Sequence, residues 1–251
     1  MPLYYYFIAI FAALIAGFVN AIAGGGTLLT FPVLLSLGIA PIAANVTNTM
    51  ALVPGLIGGM WAQRKDFITQ KKRIILLLPF SIIGGLIGGY LLLNTNEKVF
   101  SNLVPYLILM ATGLLILQNV IKKWLVKRSG NTVRGYKSKA FIALLILLSA
   151  IYGGYFGAGL GVILMAVLGL SFNNSMTAIN VLKQAISFSI NIAASIYFIF
   201  SNKIIWSIAF TMIVGAILGG YLGGKVVTKL NPNILRWIII SVGLSVGIYY
   251  L

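Results

Sequence analysis

Charge in this chain is confined to short polar segments, and between them run apolar stretches long enough to enter or cross a bilayer. A span needs about 20 apolar residues, and the charge-free candidates fall at roughly 3–22, 26–38, 43–62, 74–93, 102–121, 140–157, 160–172, 176–200, 204–224 and 235–251. Lipid offers no partner to a backbone N–H or C=O, so such stretches must close their hydrogen bonds internally as helices. Only 8% of the residues are charged, where a soluble domain carries about a quarter. The expected fold is an all-α polytopic membrane protein. The opening MPLYYYFIAIFAALIAGF lacks a charged leader and a small-residue cleavage site, so it reads as a first retained helix.

The same composition removes several functions. There is no Cys and no His, which excludes disulfides and the common soft-metal sites. The two acidic residues, Asp66 and Glu97, both fall in short polar segments, and two isolated acids make no paired-carboxylate site. No catalytic residue, metal or cofactor is expected, and the chain reads as a non-enzyme. The net charge of +16 does not indicate nucleic acid, because the basic residues lie between apolar spans, where they act as topology signals.

Those signals orient the chain. Arg64, Lys65, Lys71, Lys72 and Arg73 form one group, Lys122, Lys123, Lys127, Arg128, Arg134, Lys137 and Lys139 a second, and Lys225, Lys229 and Arg236 a third. Alternating through ten segments puts all fifteen on one face and leaves only Lys98 and Lys203 on the other. The basic face is therefore cytoplasmic and both termini lie outside, in a plasma or bacterial inner membrane.

The halves of the chain resemble each other. Gly24, Gly26 and Asn45 match Gly159, Gly161 and Asn180 at one constant offset, and GGLIGGYL at 84–91 matches GAILGGYL at 215–222 at a slightly smaller one. Five segments per half is odd, so the second half must enter from the opposite side. The expected organisation is two inverted-topology repeats of about five helical segments, 1–121 and 139–251, joined by a basic cytoplasmic linker at 122–138. The second and seventh segments are short and follow glycine clusters; they are tilted spans or re-entrant half-helices. Short, glycine-interrupted segments at matching positions of inverted repeats point to the substrate site of secondary transporters.

Lys183 is the one formal charge inside a long apolar stretch. An intramembrane ionisable group marks a ligand site or pathway by default, and the sequence offers no carboxylate in any span to neutralise it. The expected counter-charge is a small anionic substrate. The alternative is that Lys183, about 10 Å inside its helix, snorkels to cytoplasmic water. Asn180, Lys183, Gln184, Ser187 and Asn191 form one helical stripe, and Asn45, Asn48 and Thr49 share a face of the matching helix, with Thr47 beside them. The helix starts after Gly24, Gly25 and Gly26, including Thr27, and at Gly157, Gly159 and Gly161 would aim positive dipole ends at an anion. Asn20 and Gln63 are weaker candidates. The glycines at 84, 85, 88, 89, 215, 219, 220 and 224 are expected to let helices pack closely. Trp61, Trp124, Trp206 and Trp237 fall near expected interfaces, and Pro32, Pro54, Pro79 and Pro105 lie within spans.

The stretch GFVNAIAGGGTLLTFPVLLSLGIAPIAANVTNT resembles the first-repeat signature of the TauE/SafE sulfite exporter family, the TSUP transporters. Its marks are the triplet Gly24–Gly26, Pro32 with Leu34, the turn from Gly38 to Pro41, and Thr47-Asn48. GGYFGAGLGVILMAVLGL and TAINVLKQ are similar to its second copy. The resemblance implies export of sulfite, an organosulfonate or a related carboxylate. Thr49-Met50-Ala51 replaces the Lys-Leu-Gln of many members, Val167-Leu168 stands where the second copy has proline, and Ile186-Ser187 displaces an asparagine. Lys183 is then the single intramembrane lysine. Competing readings are a passive anion channel and a non-transport membrane assembly factor. Expected partners are the bilayer and the anion, with no nucleic acid and a homodimer left open.

Overall fold

The computed structural model describes residues 2–22, 25–62, 64–129, 139–172, 174–226 and 232–251. All elements among them are helices: α1 (Leu3–Ile22), α2 (Thr27–Ser36), α3 (Pro41–Ala62), α4 (Arg64–Asn94), α5 (Glu97–Ser129), α6 (Lys139–Tyr155), α7 (Leu160–Ser171), α8 (Met176–Ile199), α9 (Trp206–Val226) and α10 (Pro232–Tyr249). Each apolar stretch of the sequence corresponds to one helix. Gly24, Gln63 and most of the linker, 130–138, lie outside the described residues.

Two boundaries differ from expectation. The basic segments 64–73 and 122–129 are not loops but extensions of α4 and α5. Lys, Arg and Gln are good helix formers, and a helix leaving the hydrocarbon continues until something breaks it. The charges therefore ride on helical cylinders that project past the apolar layer. By contrast α2 and α7 are short, 10 and 12 residues, or about 15 and 18 Å, half the thickness of the hydrocarbon core.

Among the described residues, five helices are long and apolar enough to cross a membrane. Large apolar side chains face outward along them, including Phe7, Phe11 and Ile15 on α1, Ile83, Leu86 and Ile87 on α4, and Phe210, Ile217 and Leu218 on α9. An apolar exterior of this extent is a lipid-facing surface. Trp124, Trp206 and Trp237 are exposed as well.

Inside the bundle α1 packs on α9, α4 on α6 and α8, α3 on α8 and α9, and α5 on α10, with α2 against α1 and α3, and α7 against α6 and α8. Exchanging each helix for the one five places along turns α1–α9 into α6–α4 and α4–α8 into α9–α3. The glycines carry these contacts. A Cβ on Gly84 or Gly88 would strike the Leu147 or Ile151 carbonyl of α6, and one on Gly215 or Gly219 the Ile10 or Leu14 carbonyl of α1. Gly85 and Gly220 play the same part against Ile190 of α8 and Gly55 of α3. With lipid on the outside there is little hydrophobic gain in bringing helices together, so close backbone approach and dispersion contacts drive the association.

Candidate functional site

Both short helices begin at tight turns held by the helix before them. At the α1–α2 turn the Gly26 N–H donates to Asn20 Oδ1 at 2.7 Å. At the α6–α7 turn the Tyr152 hydroxyl, six residues upstream like Asn20, donates to the Ala158 carbonyl. Gly25, Gly157 and Gly159 have φ of 94°, 76° and 72°, left-handed values that a side chain would strain. Gly159 also abuts Ala111 of α5, whose Cα would be 3.2 Å from an added Cβ. Tyr152 was not singled out by sequence; an isolated tyrosine in an apolar run gives no signal until the turn is folded against it.

The helix starts expose fewer amides than the sequence suggests. Leu28 and Leu29 donate to the Gly25 and Gly26 carbonyls, Leu160 to Gly157, and Val162 and Ile163 to Gly159. Local turns thus satisfy much of what a free helix end would offer.

The two turns converge on a cavity of about 70 Å³. Since a water needs roughly 10–15 Å³ by this measure, the cavity has room for a group of a few heavy atoms. The first half contributes Asn20, Gly25, Thr27 and Thr49, with Leu52 and Leu56. The second contributes Gly157, Gly159, Gly161, Lys183, Gln184, Ser187 and Asn191. Lys183, Gln184 and Ser187 are 7%, 8% and 9% exposed, so the charge is removed from bulk water. The Lys183 stem runs past the start of α7, with its Cδ 3.7 Å from where a Gly161 Cβ would stand. A cationic side chain thus shares the cavity with two positive helix ends, an arrangement that favours an anion between them.

The structure brings together most of the sequence-derived candidates but not all. Asn45, Thr47, Asn48, Asn180 and Gly26 are outside the described cavity lining. Asn45 Nδ2 donates to the Tyr155 carbonyl at 2.8 Å and Thr47 Oγ1 accepts from the Ile205 N–H at 3.0 Å, tying α3 to the end of α6 and the approach to α9. Asn48 is wholly buried. Thr49 and Asn20 enter the lining directly, the latter while holding Gly26. No group of three or more His, Cys, Asp or Glu is present among the described residues.

Comparison with known proteins bears on the chain as a whole. The chain is 31% identical over 228 residues to a "Probable membrane transporter protein" of Haemophilus influenzae, covering 88% of this chain and 85% of that one. It is 28% identical over 238 residues to "Probable membrane transporter protein YfcA" of Escherichia coli K12, covering 92% and 84%. A third relative, "Probable membrane transporter protein ORF9" of a Sinorhizobium species, is 27% identical over 248 residues, 94% and 88% of the two chains. The family model for the sulfite exporter TauE/SafE matches residues 9–250. With its multi-pass apolar helices and a match over nearly its whole length, the chain belongs to the TauE/SafE sulfite exporter family and is a membrane transporter rather than an enzyme.

Proposed function

We propose that the protein exports a small oxyanion, sulfite, a short organosulfonate or a related carboxylate, across the cell membrane, with both termini outside. The observation that carries this reading is the cavity where Lys183 meets the turns that open α2 and α7. Lys183 supplies charge, Gln184, Ser187, Asn191 and Thr27 supply hydrogen bonds, and the helix ends add their dipoles. Asn45, Asn48 and Asn180 belong to the same polar faces one turn away. The two halves act as inverted repeats rocking about this point, a reading supported by helix contacts that interconvert on a five-helix exchange. With no acid inside a span in the sequence, export of an anion from a negative-inside cell runs down the membrane potential.

The test is flux of labelled sulfite and of a short sulfonate in proteoliposomes, comparing wild type with Lys183→Ala. Saturable flux abolished or reduced about tenfold or more in the variant is expected, from loss of a charge-assisted contact of roughly 1.5–3 kcal/mol. Undiminished flux removes Lys183 from the site. Absence of flux for either solute in folded protein withdraws the substrate class.

A further inference from the structure

Beyond the cavity, four buried side chains carry polar atoms with no hydrogen-bond partner among the described residues: Asn45 Oδ1, both polar atoms of Asn48 and Ser195 Oγ on α3 and α8, and Arg236 Nε on α10. Asn45, Asn48 and Ser195 are 1%, 0% and 3% exposed. Buried polar groups are nearly always satisfied, and those that are not call for a reason.

Their placement supplies one. Ser187, Asn191 and Ser195 follow each other at four-residue steps on α8, so Ser195 continues the cavity-lining stripe by one turn. On α3, Leu56, Leu52 and Asn48 follow at the same step, as do Thr49 and Asn45. The two helices pack on each other and run in opposite directions. The beginning of α3 meets the start of α5, where the Ile42 N–H donates to Glu97 at 2.8 Å, and the end of α6 through Asn45. The end of α8 lies against the later part of α4, with Phe198 3.2 Å from a Cβ on Gly89. Thr95, just beyond α4, is 3.4 Å from the Tyr155 hydroxyl. All these ends share one face. At about 1.5 Å per residue, Asn45 and Ser195 both sit about 6 Å from that face's helix ends, and Asn48 and Asn191 about 10 to 12 Å. The unsatisfied groups of α3 and α8 therefore lie at similar depths on two helices that pack on each other, between the cavity and that face.

We propose that the α3–α8 seam is the solute's route between the cavity and the extracytoplasmic face, with Asn48 and Ser195 as its polar lining. This deepens the anion-transport reading and rests on it for the identity of what passes. Closed, the seam leaves the Asn45, Asn48 and Ser195 groups unsatisfied. Parted, it offers the Asn48 amide and the Ser195 hydroxyl to water and to a passing anion. The unsatisfied groups make the closed seam costlier than one whose polar atoms were all paired.

The chain has no cysteine, so single thiols can be placed at will. Ser195→Cys and Asn48→Cys are compared with Ala194→Cys, a position wholly buried whose backbone packs against Gly89 of α4. Intact cells are treated with 2-sulfonatoethyl methanethiosulfonate, an anionic reagent that does not cross the membrane. Each thiol is verified after denaturation. Modification of Ser195→Cys or Asn48→Cys at least about tenfold faster than Ala194→Cys is expected, since access follows the population of the parted seam. Equal rates at the three positions, or protection of both seam positions, overturn the proposal. Sulfite flux does not enter this readout. Labelling without flux leaves the route and removes the substrate class, and flux without labelling does the reverse.

Discussion

Gly161→Ala separates a packing glycine from a binding one. Gly161 is the second residue of α7, where its backbone is helical, and the nearest atom an added Cβ would meet is Lys183 Cδ at 3.7 Å, an ordinary contact. The fold should accept the methyl group. Replacing glycine by alanine in a helix contributes up to about 1 kcal/mol, so the thermal midpoint in detergent is expected to hold or rise. The methyl group would stand inside a cavity of only about 70 Å³, beside the ammonium-bearing chain. Forcing a ligand past an extra methyl in a close-packed site costs about 1–3 kcal/mol. At 1.4 kcal/mol per tenfold, apparent affinity falls by about 5- to 150-fold. Concentration-dependent flux in proteoliposomes reads this directly. A variant as stable as wild type that transports with unchanged affinity would refute the reasoning, because the cavity would then not hold the solute. A variant that loses stability would show instead that Gly161 is a packing glycine.

Two further substitutions probe the frame rather than the site. Gly219→Ala drives a Cβ into the Leu14 carbonyl of α1, with no flexible side chain to yield, and is expected to cost about 1–3 kcal/mol or more, read as a lower unfolding midpoint in detergent. Glu97→Ala removes the carboxylate that accepts the Ile42 N–H at the start of α3 and is expected to cost about 1 kcal/mol. Glu97→Gln should recover part of that, since an amide oxygen still accepts. Neither position lines the cavity, so solute affinity in the folded fraction should be unchanged.

Helix number, helix type and the short second and seventh segments were legible in the chain itself. A bilayer leaves an apolar run one way to satisfy its backbone, and the charges mark where each run ends. The glycine pairs of α4 and α9 were also legible as contact points, because only glycine lets backbones approach so closely without hydrophobic help. Periodicity likewise put Lys183, Gln184, Ser187 and Asn191 on one face. What periodicity cannot carry is which neighbour that face meets. Thr47 and Asn45 read as ligand donors, yet the Thr47 hydroxyl oxygen accepts from the Ile205 N–H and the Asn45 amide group donates to the Tyr155 carbonyl. Tyr152, which holds the second turn, gave no sign at all. The helix-end amides looked free in sequence, but several close onto Gly25, Gly26, Gly157 and Gly159. The sequence alone thus determined the helices, because their hydrogen bonds are local and the bilayer enforces them. Only the tertiary structure decided which polar groups face the cavity, because that depends on contacts between residues more than a hundred positions apart.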